Sequence, residues 1–180
     1  MKNENEMNRY GTITEPGTIR FERLLPGPIE RVWSYITESE KRGKWLAFGE
    51  TDARVGGKVA LKFFNTQLSP HKEAIPEKYK EDCADGTSLS GVVTQYQPPR
   101  LLSYKWGSDG EVTFELLSQN KDVLLVLTHR GLGKEIMNSV ASGWHTHLDI
   151  LVDNLIGEIP KPFWSTHTKL EKEYEARLSV

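Results

Sequence analysis

The stretch Gly133–Gly157, which reads GKEIMNSVASGWHTHLDILVDNLIG, decides the fold of this chain. At 100° per residue, Thr146, Asp149 and Asp153 fall on one side of a helix. The large apolar side chains fall within a narrow sector of the opposite face: Met137, Val140, Trp144, Leu148, Leu151 and Leu155. The spacing therefore predicts an amphipathic helix of roughly 20 residues, about 30 Å long. Its apolar stripe is wide enough to need a sheet beneath it.

Most of the chain before this helix has the alternating pattern of β-strands. Pro28, Ile29 and the apolar residues that follow at spacings of three and four predict a short helix to about Thr37, and a second short helix follows through Trp45. These elements predict an α+β fold, in which a curved antiparallel sheet of about six strands wraps around one long helix, with two short helices after the first strand. The predicted strands lie at residues 18–25, 58–64, 89–96, 101–106, 111–117 and 123–130.

The two ends and one internal segment lack this pattern. Residues 1–11 are predicted to be a flexible leader, 12–160 the domain and 161–180 a C-terminal helical extension. The apolar residues of the extension recur at helical spacing, which predicts that it packs on the domain or forms a homodimer by packing on a second copy. Asn65–Thr87 is predicted to be an irregular loop, which is either functional or an ordered surface flap.

Composition excludes several classes of protein. The net charge is −2, from 25 acidic and 23 basic residues that are mixed along the chain, so we expect neither a nucleic-acid-binding protein nor one that binds anionic membranes. No apolar run approaches the roughly 20 residues of a membrane span. The single cysteine, Cys83, and the lack of a visible signal peptide predict a cytoplasmic protein. No metal, nucleophile or redox motif occurs, so we expect no cofactor and no catalytic residue.

Four polar residues lie at or beside predicted apolar faces. Arg23 and His129 each belong to the inward row of a strand. Arg23 lies near its strand end and either reaches solvent or a carboxylate or orients a ligand, and His129 is a candidate of the same kind to orient a ligand. His145 and His147 cannot share a metal ion, because residues two apart lie about 200° from each other on a helix. Two interpretations stay open for them. Either both are hydrogen-bonded at the edge of the core, with Asp149 accepting from His145, or one of them points into a cavity and contacts a ligand.

Five blocks of the sequence, in this order, resemble a known family. They are FERLLPGPIERVWSYITESEKRGKWL, VGGKVALKF, GVVTQYQPPRLLSYKW, VTFELLSQNKDVLLVLTHRGL and SGWHTHLDILVDNLIGE. Together they resemble the bacterial START-like (SRPBCC) superfamily, and most of all the group named after the activator of heat-shock protein 90 ATPase. The resemblance covers Thr18 to Glu158 and implies a helix-grip fold with a hydrophobic cavity between sheet and helix. Members of the superfamily include lipid and small-molecule binders, polyketide cyclases and co-chaperone domains.

The first functional hypothesis is a binder of a small, largely apolar or aromatic molecule that lies between the long helix and the sheet. A co-chaperone-like module that stimulates a chaperone ATPase through its outer surface is the alternative. A cyclase-like enzyme that uses His129 or His147 as acid or base is the third and weakest. The predicted ligand-binding residues are Phe21, Arg23, Trp33, Phe63, Tyr104, Trp106, Phe114, Leu127, His129, Trp144, His147, Leu148 and Leu151.

Overall fold

The computed structural model describes residues 9–178. Its strands are β1 (Thr12–Glu15), β2 (Thr18–Pro26), β3 (Lys58–Phe63), β4 (Thr87–Gln97), β5 (Leu101–Lys105), β6 (Glu111–Gln119) and β7 (Asp122–Arg130). Its helices are α1 (Ile29–Thr37), α2 (Ser39–Arg42), α3 (Glu77–Cys83), α4 (Lys134–Ile156) and α5 (Phe163–Leu178), with a 3-10 helix at Asn65–Leu68. The strands form one curved antiparallel sheet in the order β1-β2-β7-β6-β5-β4-β3, and α4 packs across it.

The predicted α+β architecture is confirmed, with one more strand than the pattern showed. The additional strand is β1, which pairs with β2 in antiparallel register, with Ile13 opposite Ile19. All four residues of β1 are exposed. A strand without a buried side chain has no apolar alternation, so its residues gave no strand signal.

The curvature of the sheet has a local cause in β4. The register with β5 shifts between Val93 and Gln95, and such a bulge bends the strand that carries it. Two residues earlier, a Cβ atom on Gly91 would lie only 1.9 Å from the carbonyl oxygen of Lys105, so this approach of β5 requires glycine.

The long helix lies where the sequence predicts it, but its polar side is not exposed. It ends at Gly157, which has φ +78° and donates its backbone N–H to the carbonyl oxygen of Asp153. Thr146 lies on the side opposite the apolar stripe, as the helical spacing indicates, but α5 packs over this side of α4 and leaves Thr146 buried. The Thr146 hydroxyl donates to the carbonyl oxygen of Ser142 at 2.7 Å, which satisfies it without water.

The C-terminal helix α5 packs on its own domain. Its buried residues are Phe163, Trp164, His167, Leu170 and Tyr174. The backbone N–H of Gly11 donates to the hydroxyl of Tyr174 at 2.7 Å, so part of the expected flexible leader contacts this helix. The rest of that leader, residues 1–8, lies outside the described residues. The division into leader, domain and extension stays a prediction, and a homodimer formed through α5 would have to use the exposed face of this helix.

The segment between β3 and β4 is partly helical rather than irregular. The carboxylate of Glu73 accepts the backbone N–H groups of Trp164 and Ser165, and the ring of Tyr79 stacks on that of Trp164 at 5.3 Å. The segment is therefore a surface flap attached to α5. Its helix α3 has no buried residue, and for that reason it showed no apolar periodicity.

Candidate functional site

An open groove of about 670 Å³ lies beside the N-terminal half of α4, at one end of the sheet. Its walls come from the ends of β3 and β4, from the turn between β5 and β6, and from one side of α4. The lining residues are Leu46, Phe63, Asn65, Thr87, Ser88, Leu89, Ser90, Trp106, Gly107, Ser108, Asp109, Ser139, Val140, Gly143, Trp144 and His147. This is the size of an ordinary small-molecule pocket.

The apolar part of the groove is a cluster of aromatic rings. Trp106 of the β5–β6 turn lies 4.9 Å from Trp144 of α4, measured between ring centroids, and Phe63 at the end of β3 lies 5.8 Å from Trp106. Trp144 is buried and Trp106 is half-buried, so Trp106 presents more ring surface to the groove. Rings from three separate elements therefore converge at one place that only the folded sheet brings together.

His129 lies behind these rings and has no free nitrogen. The indole Nε1–H of Trp144 donates to Nδ1 of His129 at 2.9 Å, so Nδ1 is unprotonated. Nε2 therefore carries the proton and donates it to the carbonyl oxygen of Asp109 at 2.6 Å. Burial lowers the pKa of His129 to about 4, so the ring is neutral at pH 7. With both nitrogens engaged, His129 offers no acid or base for catalysis.

His147 lies on the wall of the groove and keeps one nitrogen free. Its Nδ1–H donates to the carbonyl oxygen of Trp45 at 2.7 Å, which leaves Nε2 as an unprotonated acceptor. Burial lowers the pKa of His147 to about 4. Within residues 9–178, no side chain or backbone group is hydrogen-bonded to Nε2. The cyclase alternative would therefore rest on His147 alone.

Most of the other predicted ligand-binding residues belong to the core. Six of them are almost fully buried and pack against one another beneath the middle of α4: Phe21, Tyr104, Phe114, Leu127, Leu148 and Leu151. Burial raises the pKa of the Tyr104 phenol to about 12. Trp33 of α1 packs against Tyr96 at 6.0 Å and does not reach the groove. Aromatic rings thus fill much of the space expected for a ligand, and the open space lies toward one end of α4.

Arg23 is part of a separate polar cluster on the other side of α4. Its guanidinium lies 3.2 Å from the carboxylate of Asp149, so it meets a carboxylate, one of the outcomes predicted. Burial lowers the pKa of Arg23, and the charge of Asp149 opposes that shift. Burial also raises the pKa of Asp149, but a hydrogen bond from His145 and the charge of Arg23 outweigh it, so the net shift is downward.

His145 completes this cluster, as the hydrogen-bonded interpretation expected. Its Nδ1 lies 2.9 Å from the hydroxyl of Tyr174, and its Nε2 lies 3.5 Å from the carboxylate of Asp149. The cluster borders a second cavity of about 490 Å³ between α4 and α5, which charged residues of both signs line. The cluster holds α5 in place. Several of the charged groups that line this cavity already pair with one another.

Comparison with known proteins identifies the family. A family model described as activator of Hsp90 ATPase homolog 1-like protein matches residues 26–155. The chain belongs to this family. A solution structure of a protein from Bordetella parapertussis shares 37% identity with this family member, over 93% of this chain and 90% of that chain, with a TM-score of 0.76. No curated protein matches it.

More distant structures share the fold of this family member. The crystal structure of CalU16 from Micromonospora echinospora is 20% identical over 95% of this chain and 96% of that chain, with a TM-score of 0.65. The solution structure of the Aha1 dimer from Colwellia psychrerythraea is 16% identical over 77% of this chain and 95% of that chain, with a TM-score of 0.56.

Two other classes of site do not occur in the part of the chain that the structure describes. No three His, Cys, Asp or Glu side chains of residues 9–178 are grouped so that they could hold a metal ion. In the same residues, no helix is both long enough and apolar enough to cross a membrane.

Sequence reasoning found four of the residues that line the groove and missed most of the polar ones. Phe63, Trp106, Trp144 and His147 line it as predicted residues. Asn65 and Asp109 were missed because they lie outside the strands and long helices, where the sequence has no apolar period. Ser139 was missed because it lies on α4 outside the apolar stripe of that helix. The small residues Ser139 and Gly143, one helical turn apart on α4, are the signal that could have located the open space.

Proposed function

We propose that this family member binds a small, largely apolar or aromatic molecule in the groove beside α4. The observation that carries the proposal is the open volume of about 670 Å³ next to the ring cluster of Trp106 and Trp144. A concave site with an aromatic surface and a few polar groups has the composition of a ligand pocket. His147 contributes a fixed hydrogen-bond acceptor to its wall.

The filled interior limits where the ligand lies. Phe114 and Tyr104 occupy the space beneath the middle of α4, at 6.0 Å from one another. A ligand in this proposal stacks on Trp106 and reaches the edge of Trp144 without displacing the core. Arg23, Trp33 and the core residues of the predicted set are then not contacts of the ligand, and His129 supports Trp144 from behind.

A two-dimensional NMR titration with a library of uncharged aromatic and lipid fragments tests this proposal. We expect at least one fragment to shift the indole N–H signals of Trp106 and Trp144 in a saturable manner. If no fragment at millimolar concentration shifts either signal, the proposal fails.

A pair of matched variants locates the binding. Val140→Trp places a large ring in the groove, whereas Val152→Trp places the same ring on the same helix outside it, at a similarly half-buried position. We expect the first variant to abolish the shifts and the second to retain them. Equal binding by the two folded variants would contradict the assignment to this groove.

A co-chaperone-like role is the second candidate, because an apolar row is exposed on the outer face of the sheet. Leu24 of β2 and Leu117 of β6 are 57% and 53% exposed and flank Leu124 of β7 in register. Exposed apolar rows of this kind mark interaction surfaces. The family description and the shared fold of the Aha1 dimer from Colwellia psychrerythraea add support for a protein partner or a second copy.

A chaperone ATPase assay distinguishes this candidate from the first. If the outer row binds a chaperone, Leu24→Ser with Leu117→Ser removes any stimulation of the ATPase, whereas Val140→Trp leaves it intact. No stimulation by the unmodified protein would eliminate the candidate.

A further inference from the structure

Two polar side-chain atoms at the groove are hydrogen-bond acceptors without a partner among the described residues. Asn65 has a buried Oδ1 atom that lacks a hydrogen-bond partner within residues 9–178, and Nε2 of His147 is an unprotonated acceptor. An unpaired acceptor on the wall of the groove gains from a ligand that donates a hydrogen bond, and Nε2 of His147 is such an acceptor. Oδ1 of Asn65 is shielded from solvent, so it is an unpaired acceptor beside the groove rather than a contact on its surface.

The charge of the groove has one sign. Among the described residues that line it, Asp109 is the only charged one, and none is a lysine or arginine. The turn holds Asp109 firmly, because its backbone N–H donates to the carbonyl oxygen of Trp106 at 2.9 Å and its own carbonyl oxygen accepts from His129. Its side chain is exposed at the rim, where the Ser108 hydroxyl lies 3.5 Å from Oδ1.

We infer that the groove selects an aromatic molecule that carries a protonated amine, and disfavours its carboxylate counterpart. The ring stacks on Trp106, and the ammonium group donates to Nε2 of His147 and pairs with Asp109. An anionic amphiphile such as a fatty acid finds no cation among the described residues of the groove to replace its water. This inference rests on the proposed function, since it concerns the ligand of the same groove.

Three naphthalene compounds with the same ring system test the inference. They are 2-naphthylmethylamine, 2-naphthylmethanol and the carboxylate 2-naphthaleneacetate. Their dissociation constants are measured by NMR titration of the Trp106 and Trp144 indole signals at pH 7. We expect the amine to bind tightest and the acetate weakest. Equal affinities, or tightest binding by the acetate, would overturn the inference and leave the proposed function standing. No binding by any of the three would overturn the inference, and the fragment titration would then decide the proposed function.

Asp109→Asn isolates the charge, since it keeps the backbone carbonyl that accepts from His129. We expect it to weaken the amine about fivefold, the size of one ion pair at about 4 Å in water, and to leave the neutral alcohol unchanged. Asp122→Asn is the matched control. Asp122 begins β7, at the end of this strand far from His129 and Asp109, so the substitution should leave all three affinities unchanged. An amine affinity unaffected by Asp109→Asn would refute the role of this carboxylate.

Discussion

The indole nitrogen of Trp144 donates a hydrogen bond to Nδ1 of His129 at 2.9 Å, and this bond joins the long helix to the last strand of the sheet. It also determines the tautomer of His129, whose Nε2–H then donates to the carbonyl oxygen of Asp109. Helix, strand and turn are thus connected through one imidazole ring. The aromatic cluster of the groove owes its position to this connection.

Replacement of Trp144 by Phe should destabilise the fold. The variant leaves the buried Nδ1 of His129 without a donor, which costs about 1–3 kcal/mol, in addition to the loss of ring surface. Urea unfolding of both proteins at pH 7 measures the difference. Trp33→Phe is the control, because the indole N–H of Trp33 donates no hydrogen bond to any group within residues 9–178. Equal losses in the two variants would show that ring size rather than the hydrogen bond matters.

Stability should fall as the solution is acidified below pH 6.5. Burial lowers the pKa values of His129 and His147 from 6.5 to about 4 in the folded protein, so the unfolded chain binds more protons between these values. Each histidine therefore contributes up to about 3 kcal/mol to the free energy of unfolding. This contribution is fully present above pH 6.5 and is lost as the pH falls toward 4. Urea unfolding at pH 7, 6 and 5 measures this loss.

A variant of His147 measures how much this one histidine contributes to the dependence of the free energy of unfolding on pH. His147→Gln retains a donor for the carbonyl oxygen of Trp45 but cannot take up a proton. We expect its free energy of unfolding to depend less steeply on pH, by about 1.4 kcal/mol per pH unit at most. A free energy of unfolding that is constant from pH 7 to 5 in the unmodified protein would contradict both pKa shifts.

Asp149→Ala should be among the most damaging single substitutions outside the aromatic core. It leaves the buried guanidinium of Arg23 without its carboxylate. Loss of one partner of a fully buried pair costs about 3–5 kcal/mol, and because the Asp149 side chain is 26% exposed we expect a cost near the lower end of that range. The double variant Arg23→Met, Asp149→Leu removes both charges and should recover most of that loss. A double-mutant cycle by urea unfolding gives the coupling energy, and a value near zero would mean that the pair is not coupled.

Tyr174→Phe should loosen the N-terminal segment. The backbone N–H of Gly11 and Nδ1 of His145 both lose the phenol oxygen as a partner, at a cost of about 1–3 kcal/mol. Hydrogen exchange at Gly11 should accelerate together with the loss of global stability. The control is Tyr35→Phe, because no hydrogen bond to that hydroxyl occurs in the described part of the chain. Unchanged exchange at Gly11 would rule out this role of Tyr174.

Tyr79→Ala should detach the flap that contains α3. Its ring stacks on Trp164 and its hydroxyl donates to Glu171, while the rest of α3 has no buried residue. Limited proteolysis should then cut within residues 69–86 faster than in the unmodified protein. Tyr79→Phe retains the stacking and should be cut at an intermediate rate. Cleavage of Tyr79→Ala at the unmodified rate would show that other contacts hold the flap.

The sequence by itself determined the secondary structure that carries an apolar period. The helix from Lys134 to Ile156 and six of the strands could be predicted because each buries one face, and burial of a face leaves a repeat of 3.6 or 2 residues within a short stretch of sequence. β1 and α3 bury no residue, so they left no such repeat.

Only the tertiary structure decided how much of the interior stays open. Phe114 and Tyr104 are buried and fill the space beneath α4, whereas Trp106 and Trp144 border an open groove. That difference depends on ring packing between residues far apart in the sequence, and close packing in three dimensions has no period along one chain. Contacts between residues far apart in the sequence also determine three other features. They are the tautomer of His129, the burial of Thr146 beneath α5 and the unpaired acceptors at the groove.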